Sequence, residues 1–290
     1  MKLSCPAPAK LNLFLHVVGR RPDGYHLLQT LFRFIDLQDT LHFSQREDGE
    51  IRRTNALEGV AEDQDLCVRA ARLLQSETGC SLGVQIAVEK HIPVGGGLGG
   101  GSSDAATTLI ALNRLWSLGL TRARLMELGL RLGADVPVFI FGENAFAEGV
   151  GERLQAFPLP DAWYLVLFPP VQVPTAQIFA HPELTRNADS ITMRALLERE
   201  NSGLREFRND LQPVACELYP EVARHIASLD NLRSGDGSGK AMMTGSGACV
   251  FAEFGSRKKA EEAKKQLPHG IRGVVAQGLS RHPLHDWVPE

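Results

Sequence analysis

The sequence has few cysteines, no long apolar run and no surplus of positive charge, and each shortage removes a class of protein. Its five cysteines, Cys5, Cys67, Cys80, Cys216 and Cys249, are odd in number, and none stands at C-x-x-C spacing from another. That pattern argues against a disulfide framework, a zinc ribbon or a thioredoxin-like pair, and fits a reducing cytoplasm. No apolar stretch approaches the roughly 18–20 residues that cross a bilayer. The apolar start is interrupted by Lys10, Asn12 and His16, and no small-residue cleavage site follows, so it is not read as a signal or transit segment. Basic residues number 31 against 34 acidic ones, a formal charge of −3. A nucleic-acid-binding surface is therefore not expected. Composition excludes collagen and disorder as well. The histidines show no H-x-x-x-H spacing, and no metal is assigned to them.

What is present is a chain of 290 residues with 28 glycines and 16 prolines, about two domains in length and able to fold around its own core. Leu11, Leu13, Leu15 and Val17 alternate in the manner of a strand. Arg20-Arg21-Pro22-Asp23-Gly24 reads as a turn, and a second β-like region spans 25–43. A helix is expected over 64–76, with Leu66, Ala70, Leu73 and Leu74 on its apolar face. Val84, Ile86 and Val88 form a strand running toward Pro93. After a glycine run comes a helix from about Ser103 to Leu118, ended by Gly119, with Thr121 as the N-cap of the next. Prolines 158, 160, 169, 170 and 174 bracket a strand over 163–168, which suits a domain junction, although β-edge loops would look similar. Beyond it, helices are expected around 190–200, 208–228 and 256–267. A strand pair over 242–254 bends at Gly245-Ser246-Gly247. The chain reads as α+β in two domains, 1–157 and 158–290. The stretches 47–62 and 230–240 carry no readable function, and the second reads as a flexible loop.

The strongest chemical signal is Pro93-Val94-Gly95-Gly96-Gly97-Leu98-Gly99-Gly100-Gly101-Ser102-Ser103-Asp104. Six glycines in seven positions are costly to order, since glycine loses the most backbone freedom on folding. A phosphate chain is the commonest reason for bare backbone at close range: successive N–H groups form a nest, and the following helix adds its positive N-terminus. A hinge or a tight strand–helix turn is the alternative. Gly95, Gly97 and Gly100 satisfy G-x-G-x-x-G, but no acidic ribose ligand follows about 20 residues on, as a dinucleotide fold requires. No Lys-Ser/Thr pair closes the loop as in Walker A, and neither H-R-D nor D-F-G occurs downstream. By elimination, another class of phosphate loop is expected.

These residues resemble a known superfamily. The run 93–107 is similar to the second motif of the GHMP kinases, 243–251 (M-T-G-S-G-A-C-V-F) to the third, and Pro8-Ala9-Lys10-Leu11-Asn12-Leu13 to the first. Lys10-x-Asn12 together with Gly19-Arg20-Arg21-Pro22-Asp23-Gly24-Tyr25-His26 resembles the branch that acts on a cytidine diphosphate-linked methylerythritol in non-mevalonate isoprenoid synthesis. The segment 173–179 and the pair Asn209-Asp210 fit that branch. The resemblance covers residues 8 to about 251. It implies ATP-dependent phosphorylation of the acceptor's tertiary hydroxyl with Mg2+, in the cleft between two domains. The N-terminal one would be like ribosomal protein S5 domain 2, and the C-terminal one ferredoxin-like.

The same resemblance implies roles for single residues, each with a plainer alternative. Asp135, in Gly133-Ala134-Asp135-Val136-Pro137, either caps a helix or, by the resemblance, is the catalytic carboxylate that accepts the hydroxyl proton. Lys10 is either a snorkelling strand lysine or the neighbour that keeps Asp135 ionised and offsets phosphoryl charge. Asn12 shares its strand face by period two; otherwise it is an ordinary strand amide. Tyr25 either closes the core at the turn exit or stacks on cytosine, with Phe179 opposite and His26 reading the base edge. Thr175 would touch the polyol. Residues Pro93 to Ser103 would hold ATP, with Ser102 and Ser103 either capping the helix or binding phosphate or magnesium. Gly245, Ser246 and Gly247 form a second donor turn facing phosphate or substrate, or a simple hairpin bend. No carboxylate ligand for magnesium is assigned. Two alternatives stay open: another GHMP small-molecule kinase of homoserine or mevalonate type, and a non-catalytic nucleotide-binding module. A monomer and a homodimer are both compatible with the sequence.

Overall fold

The computed structural model describes residues 1–56, 59–200, 207–232 and 240–290. Two long strands, β1 (Lys2–Arg20) and β2 (His26–Arg46), form an antiparallel hairpin in the register Lys10↔Phe34. The turn over 21–25 closes it, with Arg21 N donating to Tyr25 O at 2.7 Å. Register shifts at Pro8/Ala9, Asn12/Leu15 and Val17/Gly19 bend β1, as bulges do. β2 is the hub of the sheet. Its far half pairs with β4 (Gly83–Glu89), which β3 (Ile51–Arg53) joins in parallel.

Four helices cover one face of this half: α1 (Leu66–Thr78), α2 (Gly100–Leu115), α3 (Arg122–Leu130) and α4 (Val136–Phe141). Asp65 caps α1 by accepting from Cys67 N, and Thr121 caps α3 by accepting from Arg124 N. After α4, β5 (Ala145–Glu148) returns to β2 and pairs with β6 (Arg153–Ala156).

The second half runs β7 (Trp163–Leu167), α5 (Thr175–Ala180), α6 (Met193–Glu200), α7 (Gln212–Leu218), α8 (Pro220–Leu232), β8 (Met242–Met243), β9 (Val250–Phe254), α9 (Arg257–Lys265) and β10 (Gly273–Leu279). Its strands lie in the order β10-β7-β9-β8 with every neighbouring pair antiparallel. That is the split β-α-β arrangement of a ferredoxin-like unit. β10 also pairs with β2 through Gly278↔Ile35, so one sheet of ten strands runs through the described residues.

The structure corrects several expected boundaries. α2 begins at Gly100, three residues before Ser103, because Gly99 takes the N-cap position with a left-handed φ of 73°. Neither Ser102 nor Ser103 caps it. It ends at Leu115, and the left-handed residue after it is Ser117 (φ 53°), with Gly119 further along the loop. The expected helix over 208–228 is two helices separated at Tyr219. The expected loop over 230–240 begins instead with the end of α8 at Leu232, and 233–239 lie outside the described residues. Elements β5, β6 and β10 had no reading in the sequence, and α4 entered only as the helix that Asp135 would cap.

The core is a chain of three apolar clusters. Phe34, Phe43, Leu109 and Phe139 lie between the sheet and the first four helices. Leu165, Val222, Val250 and Phe254 fill the second half, and Phe14, Leu98, Phe146 and Phe251 bridge the two. Leu284 and Val288, from the final residues, pack into the first cluster. Nearby, the buried Arg122 donates to the carbonyls of Ile140 (2.8 Å), His285 (3.0 Å) and Val288 (3.1 Å). Among the described residues, no helix is long and apolar enough to cross a membrane.

Candidate active site

A cleft of about 1910 Å³ runs across β1, bounded by the glycine run on one side and by residues of the second half on the other. Lys10 lies at its floor, 2% exposed, so it is no snorkelling surface lysine. Its ammonium donates to Asn12 Oδ1 (2.5 Å) and Gly97 O (2.9 Å), and lies 3.5 Å from Asp135 Oδ2. Asn12 is fixed in turn: its Nδ2 donates to Thr30 Oγ1 at 2.8 Å, and its backbone N donates to Thr244 Oγ1 at 3.0 Å. Lys10 and Asn12 thus share one strand face, as their spacing predicts.

Asp135 holds the N-cap position of α4, yet its carboxylate makes no capping bond. The side chain is 39% exposed and turned to Lys10. The capping role that the sequence allowed is therefore not taken up by the side chain, and the carboxylate is left for the cleft.

The glycine run packs against the turn 244–247. Cys249 N donates to Gly96 O at 3.0 Å, and Thr244 Oγ1 donates to Gly97 O at 3.3 Å. Gly97 has a φ of 75°, and a Cβ there would stand 2.2 Å from Thr244 O, so both conformation and space demand glycine. Among the described residues, the amides of Gly95 to Gly99 donate to no protein acceptor. These glycines line the cleft just before the N-terminus of α2, where backbone donors and the helix dipole favour an anion. Ser102 lines the cleft, whereas Ser103 is fully buried and its hydroxyl has no partner. Gly245 adjoins Lys10, and its carbonyl is held by Asn209 Nδ2 at 2.7 Å. Asp210 accepts from Val17 N at 2.9 Å. Asn209 and Asp210 thereby hold the second half against β1.

Beneath the loop lies a buried ionic cluster that sequence spacing does not reveal. Lys90 pairs with Asp39 and lies 2.8 Å from Asp104 Oδ2, while Asp39 also accepts from His91 N (2.6 Å) and Ile92 N (2.9 Å). Burial pushes the Asp104 carboxyl up to about 7; Lys90 opposes that shift and Asp39 adds to it.

At the other end, Tyr25 is 64% exposed, with the Arg21 guanidinium 6.0 Å from its ring centroid. The ring against Phe179 is His26, stacked at 4.8 Å between centroids. Arg186, also unread in the sequence, donates from Nε to His26 Nε2 at 3.2 Å and from Nη2 to Phe179 O at 3.0 Å. Thr175 and Ser246 meet at 2.7 Å between hydroxyls. No sequence signal marks Arg186 or Thr30, which reach the site only through tertiary contact, whereas Thr244 lies within the motif 243–251 without a role of its own being read there.

A glycine run at a helix start stands beside a buried ammonium paired with a carboxylate, an arrangement chemically able to transfer a phosphoryl group. The family models agree: "GHMP kinases N terminal domain" matches residues 65–143 and "GHMP kinases C terminal" matches 185–271. A protein of Nitrosospira multiformis named 4-diphosphocytidyl-2-C-methyl-D-erythritol kinase is 59% identical over 289 residues, covering 100% of this chain and 95% of its own. One of the same name from Thiobacillus denitrificans is 58% identical, with 100% of both chains covered. A crystal structure of 4-(cytidine 5'-diphospho)-2C-methyl-D-erythritol kinase superposes with a TM-score of 0.81 at 35% identity, over 95% of this chain and 99% of that one. A homoserine kinase from Cytophaga hutchinsonii gives 0.68 at 14% identity, over 97% and 95%, a likeness of fold alone. The chain belongs to the GHMP kinases and, within them, to the 4-diphosphocytidyl-2-C-methyl-D-erythritol kinase family.

Proposed function

We propose that this chain transfers the γ-phosphoryl group of ATP to the tertiary 2-hydroxyl of 4-diphosphocytidyl-2-C-methyl-D-erythritol, giving the 2-phosphate and ADP. The observation that carries this is the 3.5 Å approach of Lys10 Nζ to Asp135 Oδ2, beside a loop whose amides are open to an anion. Asp135 accepts the hydroxyl proton as the oxygen–phosphorus bond forms. Lys10 and the amides of the glycine run offset the charge on the transferring phosphoryl group. Residues Pro93 to Ser102 form the triphosphate cradle. The buried Ser103 supports it from behind, so Ser102 is the hydroxyl that reaches a phosphate or a metal ion.

Among the described residues, no three His, Cys, Asp or Glu gather as a metal site. Magnesium would arrive with the nucleotide, and the Ser102 hydroxyl, which lines the cleft, would be the side chain here able to hold it. Magnesium, when bound, neutralises charge on the β- and γ-phosphates.

The acceptor's base lies against Phe179, with the exposed Tyr25 ring closing over it and His26 along its edge. The 4.8 Å between His26 and Phe179 leaves no room for a base between those two rings. Thr175 and Ser246 face the polyol. We place the boundary between the two lobes at 157/158, between the two matched family regions, and the working compartment in the cytoplasm, where five free cysteines are at home.

The test offers purified protein ATP and magnesium with the cytidylyl acceptor, with homoserine and with mevalonate, following ADP release and the product by 31P NMR. Turnover of the cytidylyl acceptor alone is expected. Turnover of homoserine or mevalonate in its place would overturn the reading, and so would ATP binding with no turnover of any acceptor.

A further inference from the structure

Arg186 lies in the segment after α5, and every nitrogen of its guanidinium is engaged. Nη2 donates to the carbonyls of Phe179 (3.0 Å) and His181 (2.7 Å), and Nη1 to those of Pro182 (3.3 Å) and Leu184 (3.1 Å). Nε donates to His26 Nε2 at 3.2 Å. A guanidinium has donors only and keeps its charge at any pH a folded protein meets. His26 Nε2 is therefore an acceptor, which makes the ring neutral and puts its proton on Nδ1. Burial, then the charges of Arg186 and of Arg20 at the end of β1, push the His26 pKa below its usual value, so the ring resists protonation. Its Nδ1–H has no protein partner among the described residues, and the ring lines the cleft.

Resting on the reading of this cleft as a cytidylyl-acceptor site, we infer that Arg186 is a specificity-determining positioning residue: it locks His26 in the Nδ1–H form and so sets which pyrimidine is accepted. Cytosine and uracil have similar shape and stack alike, but N3 of cytosine is a hydrogen-bond acceptor and N3 of uracil carries a hydrogen. A fixed Nδ1–H matches the first and leaves two opposed donors with the second, which is costly in a partly desolvated pocket. Stacking by Tyr25 and Phe179 cannot make that distinction. A histidine free to change tautomer would accept either base. The five bonds of Arg186 remove that freedom, because the same guanidinium that fixes the His26 nitrogen is itself fixed to the Phe179 end of α5.

Two measurements on the full chain test this. In 15N-labelled protein at pH 7, long-range 1H–15N correlation is expected to show His26 with a protonated Nδ1 and an unprotonated Nε2. A protonated Nε2 overturns the inference without any variant. The second measurement compares kcat/KM for cytidine- and uridine-diphosphate-linked methylerythritol in the wild type and in Arg186→Met. The preference for cytidine is expected to fall by about tenfold in the variant, with the His26 spectrum turning to a mixture of tautomers. Arg186→Lys, whose ammonium can still donate to Nε2, is expected to recover part of the preference. An equal loss on both acceptors, with the ratio intact, would make Arg186 a purely structural clamp and overturn this inference alone. A wild type that phosphorylates neither acceptor would overturn the reading of the cleft as well.

Discussion

The two ends of the cleft are made of different material. The proposed phosphate end is backbone: the amides of Gly95 to Gly99, the Gly97 carbonyl on Lys10, and a second turn bonded to the first through Cys249 N and Gly96 O. The proposed base end is side chain: Tyr25 on a hairpin turn, His26 at the start of β2, Phe179 on a six-residue helix, and Arg186 tying the last two together. A phosphate is recognised by charge and by many equivalent donors, which a rigid peptide loop supplies. A base is recognised by one face and one edge, which takes individual side chains at individual angles. The phosphate end is therefore expected to be intolerant of an added Cβ at Gly96, Gly97 and Gly99, while the base end is expected to lose affinity step by step.

The largest effect expected at the phosphate end is that of Asp135→Asn. Its kcat should fall by about 10²–10⁴-fold while ATP affinity, read by calorimetry, is unchanged; undiminished turnover would remove Asp135 from the chemistry. Gly97→Ala should abolish ATP binding and cost about 2–4 kcal/mol of stability in chemical denaturation, from a left-handed φ and a Cβ driven into Thr244 O. A variant that binds ATP normally would show the loop to be less rigid than its packing implies. At the base end, Tyr25→Ala should raise the acceptor KM by about tenfold with little change in kcat. An effect confined to ATP would contradict the stacking role.

The smallest effect concerns the ionic cluster under the loop. The folded protein holds the Asp104 proton up to about pH 7, whereas an unfolded chain releases it near pH 4. This carboxyl thus stabilises the fold at low pH, and its contribution is lost as pH rises through about 7. Asp104→Asn should flatten that part of the Tm-against-pH curve; an unchanged slope would place the linkage elsewhere.

The same division explains which parts of the molecule are legible in the order of residues. Glycine-rich backbone is contiguous, so the phosphate end is located by composition along the chain, and period two places Lys10 beside Asn12. The finer geometry is not readable there. Gly99 rather than a serine begins α2, since a left-handed glycine satisfies the helix start without a side-chain cap. Asp135 keeps two readings in the sequence, and the fold removes the side-chain capping one. The base end is legible only as separate aromatics. What organises them is Arg186, 160 residues from His26, in a stretch with neither periodicity nor motif. Lys90, Asp39 and Asp104 escape notice for the same reason: burial assembles them, and sequence spacing does not report burial.

Arg122 has a consequence for biosynthesis. This cation belongs to α3, in the first half of the chain, yet two of its carbonyl partners are His285 and Val288. Leu284 and Val288 also fill the first apolar cluster. While the polypeptide is still being translated, that guanidinium has no partners from this segment and the cluster keeps a gap. The earliest-made lobe therefore reaches its final packing only after the segment around residues 284–288 has been synthesised. A chain not yet extended through these residues would stay partly open, and one lacking residues 284–290 would leave a buried cation short of acceptors.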